Sequence, residues 1–101
     1  MQLTLDWKIQ SLGATNDVLK LEPLKTKLEA FNLNVIQIDG HDHQALFNAF
    51  KSIESLKGKP SVIIADTIKG KGVSFMENQL LWHYKSPNEE QYNQAIKEIE
   101  R

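Results

Sequence analysis

Apolar positions along the chain change period several times, and each change marks an element. Leu3-Thr4-Leu5 carries the alternation of a short strand end. Ser11 to Leu21 mixes Gly13, Thr15, Asn16 and Asp17 and reads as a loop. Pro23, taken as a first helical residue, opens a helix with Leu24, Leu28 and Phe31 at helical spacing, and Asn32 and Asn34 end it. Val35-Ile36-Gln37-Ile38 reads as a buried strand, closed by the turn-prone Asp39-Gly40. Asp42 is placed to cap a second helix running to about Leu56, with Leu46, Ala49, Phe50, Ile53 and Leu56 on one face.

Lys57-Gly58-Lys59-Pro60 is a turn, and Ser61 to Asp66 is a strand whose Val62, Ile63, Ile64 and Ala65 are apolar on both faces. A long irregular stretch follows. Ser86-Pro87-Asn88-Glu89 has a capping-box pattern with proline at the first helical position, and Tyr92, Ala95, Ile96 and Ile99 line the inner face of the last helix. Strands alternating with helices predict an α/β fold, a partial parallel sheet of about three strands with helices on its faces. Ligands on such sheets gather at the carboxyl ends of the strands, which here carry Asp6 to Gln10, Asp39 to Asp42 and Asp66 to Gly72.

Composition narrows the function. The 101 residues make one small domain with a net charge of −1, too weak a field to attract nucleic acid or an anionic membrane non-specifically. The absence of cysteine excludes disulfides and thiolate metal sites. Neither a signal peptide nor an apolar run long enough to span a membrane is present, so the expected compartment is the cytosol.

Three segments could carry chemistry. In Thr67-Ile68-Lys69-Gly70-Lys71-Gly72, two glycines allow close backbone approach and two lysines suit a phosphate or diphosphate. It is not a Walker motif, and a solvated basic turn has the same composition. His83, after Trp82, could donate to a phosphate or a substrate hydroxyl, or could simply pack against Trp82. Asp39-Gly40-His41-Asp42-His43 holds two histidines and two carboxylates, but adjacent residues seldom converge on one ion and Asp42 is better used as a cap.

Taken together and in order, these pieces resemble transketolase. The matching segments are Asp6-Trp7-Lys8-Ile9-Gln10, Glu22-Pro23-Leu24 with Lys27 and Ala30-Phe31, and Val35 with Ile38-Asp39-Gly40-His41-Asp42. They continue with Lys59-Pro60, the run Ala65 to Asn78, and Trp82-His83. The sequence is most similar to split transketolases, whose amino-terminal half is a separate polypeptide. The resemblance implies that residues 1–101 are the carboxyl-terminal part of a thiamine diphosphate-binding domain, within an enzyme moving a two-carbon ketol unit between sugar phosphates.

It also implies thiamine diphosphate and magnesium as cofactors. Lys69 falls at the diphosphate, and His83 at the diphosphate and the substrate side of the cleft as a catalytic residue. Two departures stand out. The family's Gly-Asp-Gly metal motif lies upstream of these segments. The Asn of its Asp-x-Asn-Lys-Ile pattern is missing from Asp6-Trp7-Lys8-Ile9, which leaves the Ile9 carbonyl as the remaining metal ligand, and the strand before Asp6 looks clipped, as though residues were deleted from Leu3 to Lys8. The expected partners are the rest of the amino-terminal half and a pyrimidine-domain subunit, in a homo-oligomer or heteromer, with the isolated chain inactive. A deoxyxylulose-phosphate synthase shares the architecture but fits the Lys69 to His83 run less well, and a non-catalytic α/β interaction module fits the length and the missing ligands.

Overall fold

The computed structural model describes residues 2–6, 8–10 and 13–101; Trp7 of the transketolase-like segment and Ser11 and Leu12 of the expected loop lie outside the described residues. Its elements are β1 (Gln2–Asp6), β2 (Ile9–Gln10), β3 (Gly13–Ala14), α1 (Thr15–Val18), α2 (Leu24–Ala30), β4 (Asn34–Asp39), α3 (His43–Ser55), β5 (Ser61–Asp66) and α4 (Glu89–Ile99), with a 3-10 turn at Leu80–His83. The main sheet has three parallel strands in the order β1-β5-β4. The fold class is therefore the α/β one that the alternation predicts.

β5 is central because its sequence can be buried on both faces. Ile63 and Ile64 point to opposite sides, and each is fully buried at 0% exposure. Val62 and Ala65 complete the strand's contribution, and Ala49 of α3, Val73 and Ala95 of α4 add the other buried apolar groups. The first strand runs nearly the length of its neighbour. Gln2 to Asp6 pairs residue for residue with Val62 to Asp66.

Local signals place the helix ends, with two shifts of register. Asp42 caps α3, its carboxylate accepting from the Gln44 and Ala45 amides at 2.8 and 3.0 Å. Pro23 is the residue before α2 rather than its first helical residue; it is extended, and its carbonyl accepts from the Lys27 amide at 3.2 Å. Asn32 ends that helix in the left-handed region (φ 64°), which asparagine tolerates. The capping box of α4 is built by Asn88 and Gln91, not by Ser86 and Glu89. Asn88 accepts from the Gln91 amide at 2.8 Å, and Gln91 accepts from the Asn88 amide at 3.0 Å. An amide side chain serves this reciprocal arrangement as well as a hydroxyl–carboxylate pair.

Within the segment read as loop lie β3, which pairs with β2 just before it, and the single-turn α1. Elements this short have too few residues to display a period.

The molecule is flat. Its extents are 53 × 32 × 14 Å and its radius of gyration is 16.6 Å, against about 13 Å for a compact domain of roughly this length. The helices cover the sheet incompletely: Phe31 is 78% exposed, and Tyr92 and Ile99, read as inward-facing, are 56% and 63% exposed. Ala95 alone of the α4 stripe is buried. That helix is held to the irregular segment by Glu98, which accepts from the Ser74 amide and hydroxyl at 2.5 and 2.8 Å.

Candidate functional site

All three parallel strands end in aspartate, and the register aligns them: Asp6 is opposite Asp66, and Asp66 is opposite Asp39. A row of carboxylates therefore crosses the carboxyl edge of the sheet, where ligands of such folds collect. The Lys8 ammonium offsets part of it. Lys8 contacts Asp6 and Glu22 and lies 3.4 Å from Asp66 Oδ1, joining β1, β5 and the segment before α2. Desolvation opposes charge on Lys8, but the hydrogen bonds to Asp6 and Glu22 outweigh it and hold the ammonium charged well above its ordinary range. The hydrogen bond from Lys8 holds Glu22 below the usual carboxylate range, with help from the Leu24 amide.

Asp66 is divided between its two oxygens. Oδ2 accepts from Gln37 Nε2 at 2.8 Å. Oδ1 is buried and accepts no hydrogen bond, so the Lys8 charge, at ion-pair rather than hydrogen-bond geometry, is its compensation.

The segment after β5 is anchored from both neighbouring strands. The Thr67 amide donates to the Asp6 carbonyl at 2.9 Å, and the Ile68 amide donates to His41 Nε2 at 2.7 Å. Gly40 makes the close approach that this requires. Its amide donates to the Asp66 carbonyl at 2.7 Å, and a Cβ there would lie 2.6 Å from the Thr67 methyl. Beyond, the chain folds into a closed loop, with the Asn78 amide donating to the Lys69 carbonyl at 2.9 Å. Gly70 has φ 75°, and a Cβ would meet the Met76 carbonyl oxygen at 2.6 Å.

A cavity of 340 Å³ opens here, lined by Asp39, His41, Asp66, Thr67, Ile68 and Lys71. Five loop amides are already committed: Thr67 to Asp6, Ile68 to His41, Lys71 to Ile68, Gly72 to Glu77 and Val73 to Gly70. With these amides committed, they form no nest of free N–H groups. Lys71 lies 3.9 Å from Glu77 in a loose, exposed pair. A larger hollow of 630 Å³ runs over Glu89, Glu90, Asn93, Gln94 and Lys97, all on one face of α4, and one helix face cannot enclose a ligand.

The predicted site residues are distributed as follows. Lys69 is half-buried in the loop stem, and neither it nor His83 is among the lining residues of the 340 Å³ cavity. His83 is exposed at the end of the 3-10 turn, its ring edge-on to Tyr84 at 4.9 Å rather than packed on Trp82. Trp82 fixes that turn by donating from Nε1 to the Phe75 carbonyl at 2.9 Å, with the two rings 5.2 Å apart. Ile9 sits in the small antiparallel ladder opposite Ala14.

A divalent ion does not fit the donors present. Among the described residues no three His, Asp or Glu side chains are grouped to hold one, and a fixed ammonium sits among the nearest carboxylates. Sequence reasoning located the three strand ends but missed Lys8 as their counter-ion and His41 as a backbone acceptor. The signal available was an aspartate closing each strand.

Comparison with known proteins agrees with this architecture. Residues 4–99 match the family described as transketolase, thiamine diphosphate binding domain. One of the apulose-4-phosphate transketolase subunits, from Phocaeicola vulgatus, is 36% identical over 91% of the chain and 33% of its own length. The 6-deoxy-6-sulfo-D-fructose transketolase subunit SqwG of a Clostridium species is 40% identical over 93% of the chain and 34% of its own length. The crystal structure of transketolase from Campylobacter jejuni superposes with a TM-score of 0.81 at 26% identity, covering 97% of this chain and 16% of that one. The chain thus spans about a third of the length of these subunit relatives. It belongs to the transketolase family, in the thiamine diphosphate-binding domain.

Proposed function

We propose that residues 1–101 are the carboxyl-terminal part of the thiamine diphosphate-binding domain of a split-subunit, cytoplasmic transketolase. The enzyme would pass a two-carbon ketol unit between sugar phosphates of the pentose phosphate type. The observation that carries this reading is the single register row of strand ends Asp6, Asp66 and Asp39, with the Thr67 to Asn78 loop anchored beside it. Bound thiamine diphosphate would supply the carbanion that accepts and releases the ketol unit.

This chain's own contributions are binding and proton handling. Lys69, in the loop stem, would contact the diphosphate by a charge-assisted hydrogen bond. His83, exposed on a turn fixed by Trp82, would face the diphosphate and the substrate and stabilise a developing oxyanion. Magnesium would take the Ile9 carbonyl and draw its other ligands from elsewhere in the enzyme, since the side chains described here do not supply a set. The partners are the remainder of the amino-terminal half and a pyrimidine-domain subunit, with the active site completed between chains.

The test is reconstitution. The chain joined to the remainder of its half and mixed with the pyrimidine-domain subunit is expected to transfer a ketol unit in a thiamine diphosphate-dependent manner. A reconstituted complex that binds neither cofactor nor sugar phosphate favours a non-catalytic interaction module.

A further inference from the structure

We infer that His41 is the positioning residue of the Lys69 loop, acting as a neutral imidazole that accepts the Ile68 amide. His41 leaves β4 just after Gly40, and its own amide donates to Asp39 Oδ1 at 2.8 Å, which fixes the start of the side chain. The imidazole then crosses to the loop leaving β5, where Nε2 accepts from Ile68 N–H at 2.7 Å. Acceptance requires a bare Nε2, so the ring proton is on Nδ1. Ile68 directly precedes Lys69, and its flanking amide at Thr67 is tied to the Asp6 carbonyl. The direction in which Lys69 leaves the sheet is thus set by two hydrogen bonds, one from each neighbouring strand.

Protonation of His41 converts its acceptor into a donor facing a donor, and the Ile68 anchor is lost. The charged groups that share this cavity are Asp39 at the end of β4, Asp66 at the end of β5 and Lys71 in the loop. The anchor therefore requires the neutral ring. The consequence for cofactor binding rests on the reading of Lys69 above, whereas the anchoring itself does not.

Amide hydrogen exchange on the full chain, read by mass spectrometry over peptides spanning residues 66–78 and β5, tests the anchoring. His41→Ala is expected to lower protection at Ile68 by about 2- to 10-fold with β5 unchanged, the loss of one hydrogen bond. His41→Gln, whose side-chain oxygen can accept, is expected to restore part of it. Unchanged Ile68 protection in His41→Ala overturns the inference. Should His41→Ala also lose β5 protection, the unsubstituted chain decides the matter. Ile68 protection corrected for intrinsic exchange must fall as His41 protonates, and a flat profile overturns the inference. In the reconstituted enzyme, faster cofactor loss in His41→Ala is expected only if Lys69 also contacts the diphosphate. Altered exchange without altered retention therefore counts against the Lys69 reading alone.

Discussion

The Lys8 ammonium lies 3.4 Å from Oδ1 of Asp66, a buried carboxylate oxygen that accepts no hydrogen bond. Asp6 and Glu22 also contact that ammonium, so one cation ties together three parts of the chain. Lys8→Met keeps the apolar stem and removes the charge. It is expected to destabilise the fold at neutral pH by about 0.2–1 kcal/mol, since the group is partly exposed.

The pH dependence follows from Glu22. Its folded value is below the usual carboxylate range, chiefly through the hydrogen bond from Lys8. A lowered carboxylate stabilises the fold above its unfolded value of about 4.3 and loses that contribution as pH falls through the folded value. The gap between the original chain and Lys8→Met should therefore be full near pH 7 and shrink in acid. Thermal unfolding followed by circular dichroism at both pH values measures it; a gap that grows in acid contradicts the assignment.

Two glycines of one loop should differ in how far they tolerate alanine. Both have positive φ, 75° at Gly70 and 98° at Gly72, so each substitution carries a left-handed cost of about 1–2 kcal/mol. At Gly72 a Cβ meets nothing within 4 Å, while at Gly70 it meets the Met76 carbonyl oxygen at 2.6 Å. Urea unfolding is expected to show Gly70→Ala as the more destabilised variant; equal losses would mean that the loop closes differently.

How much of this was legible depends on the range of the interaction. β5 could be read because Val62 to Ala65 are apolar at consecutive positions in a short, β-branched run, which suits a strand covered on both faces. Asp42 could be read as a cap because its partners are two and three residues away. The Thr67 to His83 run carried the family resemblance. By contrast, Lys8 meets Glu22 and Asp66 only after the sheet aligns three strand ends, and His41 meets Ile68 across 27 residues of chain. Neither leaves a local pattern. The exposure of Tyr92 and Ile99 was hidden for a related reason: a helical stripe reports what could be buried, and α4 has little to bury it against.

That exposure predicts association. Phe31, Phe47, Leu81, Tyr84, Tyr92 and Ile99 are all exposed on a slab 14 Å thick, and β1 and β4 are the edge strands of the parallel sheet. The isolated chain is expected to self-associate or bind a hydrophobic dye at micromolar concentration. Light scattering that reports a monomer, with no dye uptake and a cooperative melt, contradicts this.

In the reconstituted enzyme, Lys69→Ala should act mainly on cofactor retention, weakening it by about 1.5–3 kcal/mol through loss of a charged hydrogen bond. His83→Ala should act mainly on turnover, lowering kcat by about 10²–10³ if it stabilises charge in the transition state. Steady-state kinetics against cofactor concentration separates the two effects. Unaltered kinetics in both variants would reduce Lys69 and His83 to a loop stem and a surface histidine.

The most direct measurement is calorimetric titration of thiamine diphosphate with magnesium into the chain alone and into the reconstituted enzyme. With Lys8 occupying the carboxylate cluster and no metal-ligand set among the described side chains, the chain alone should show no saturable micromolar binding. The reconstituted enzyme should bind and transfer a ketol unit. Micromolar binding by the chain alone, or silence from the reconstituted enzyme, would contradict the account.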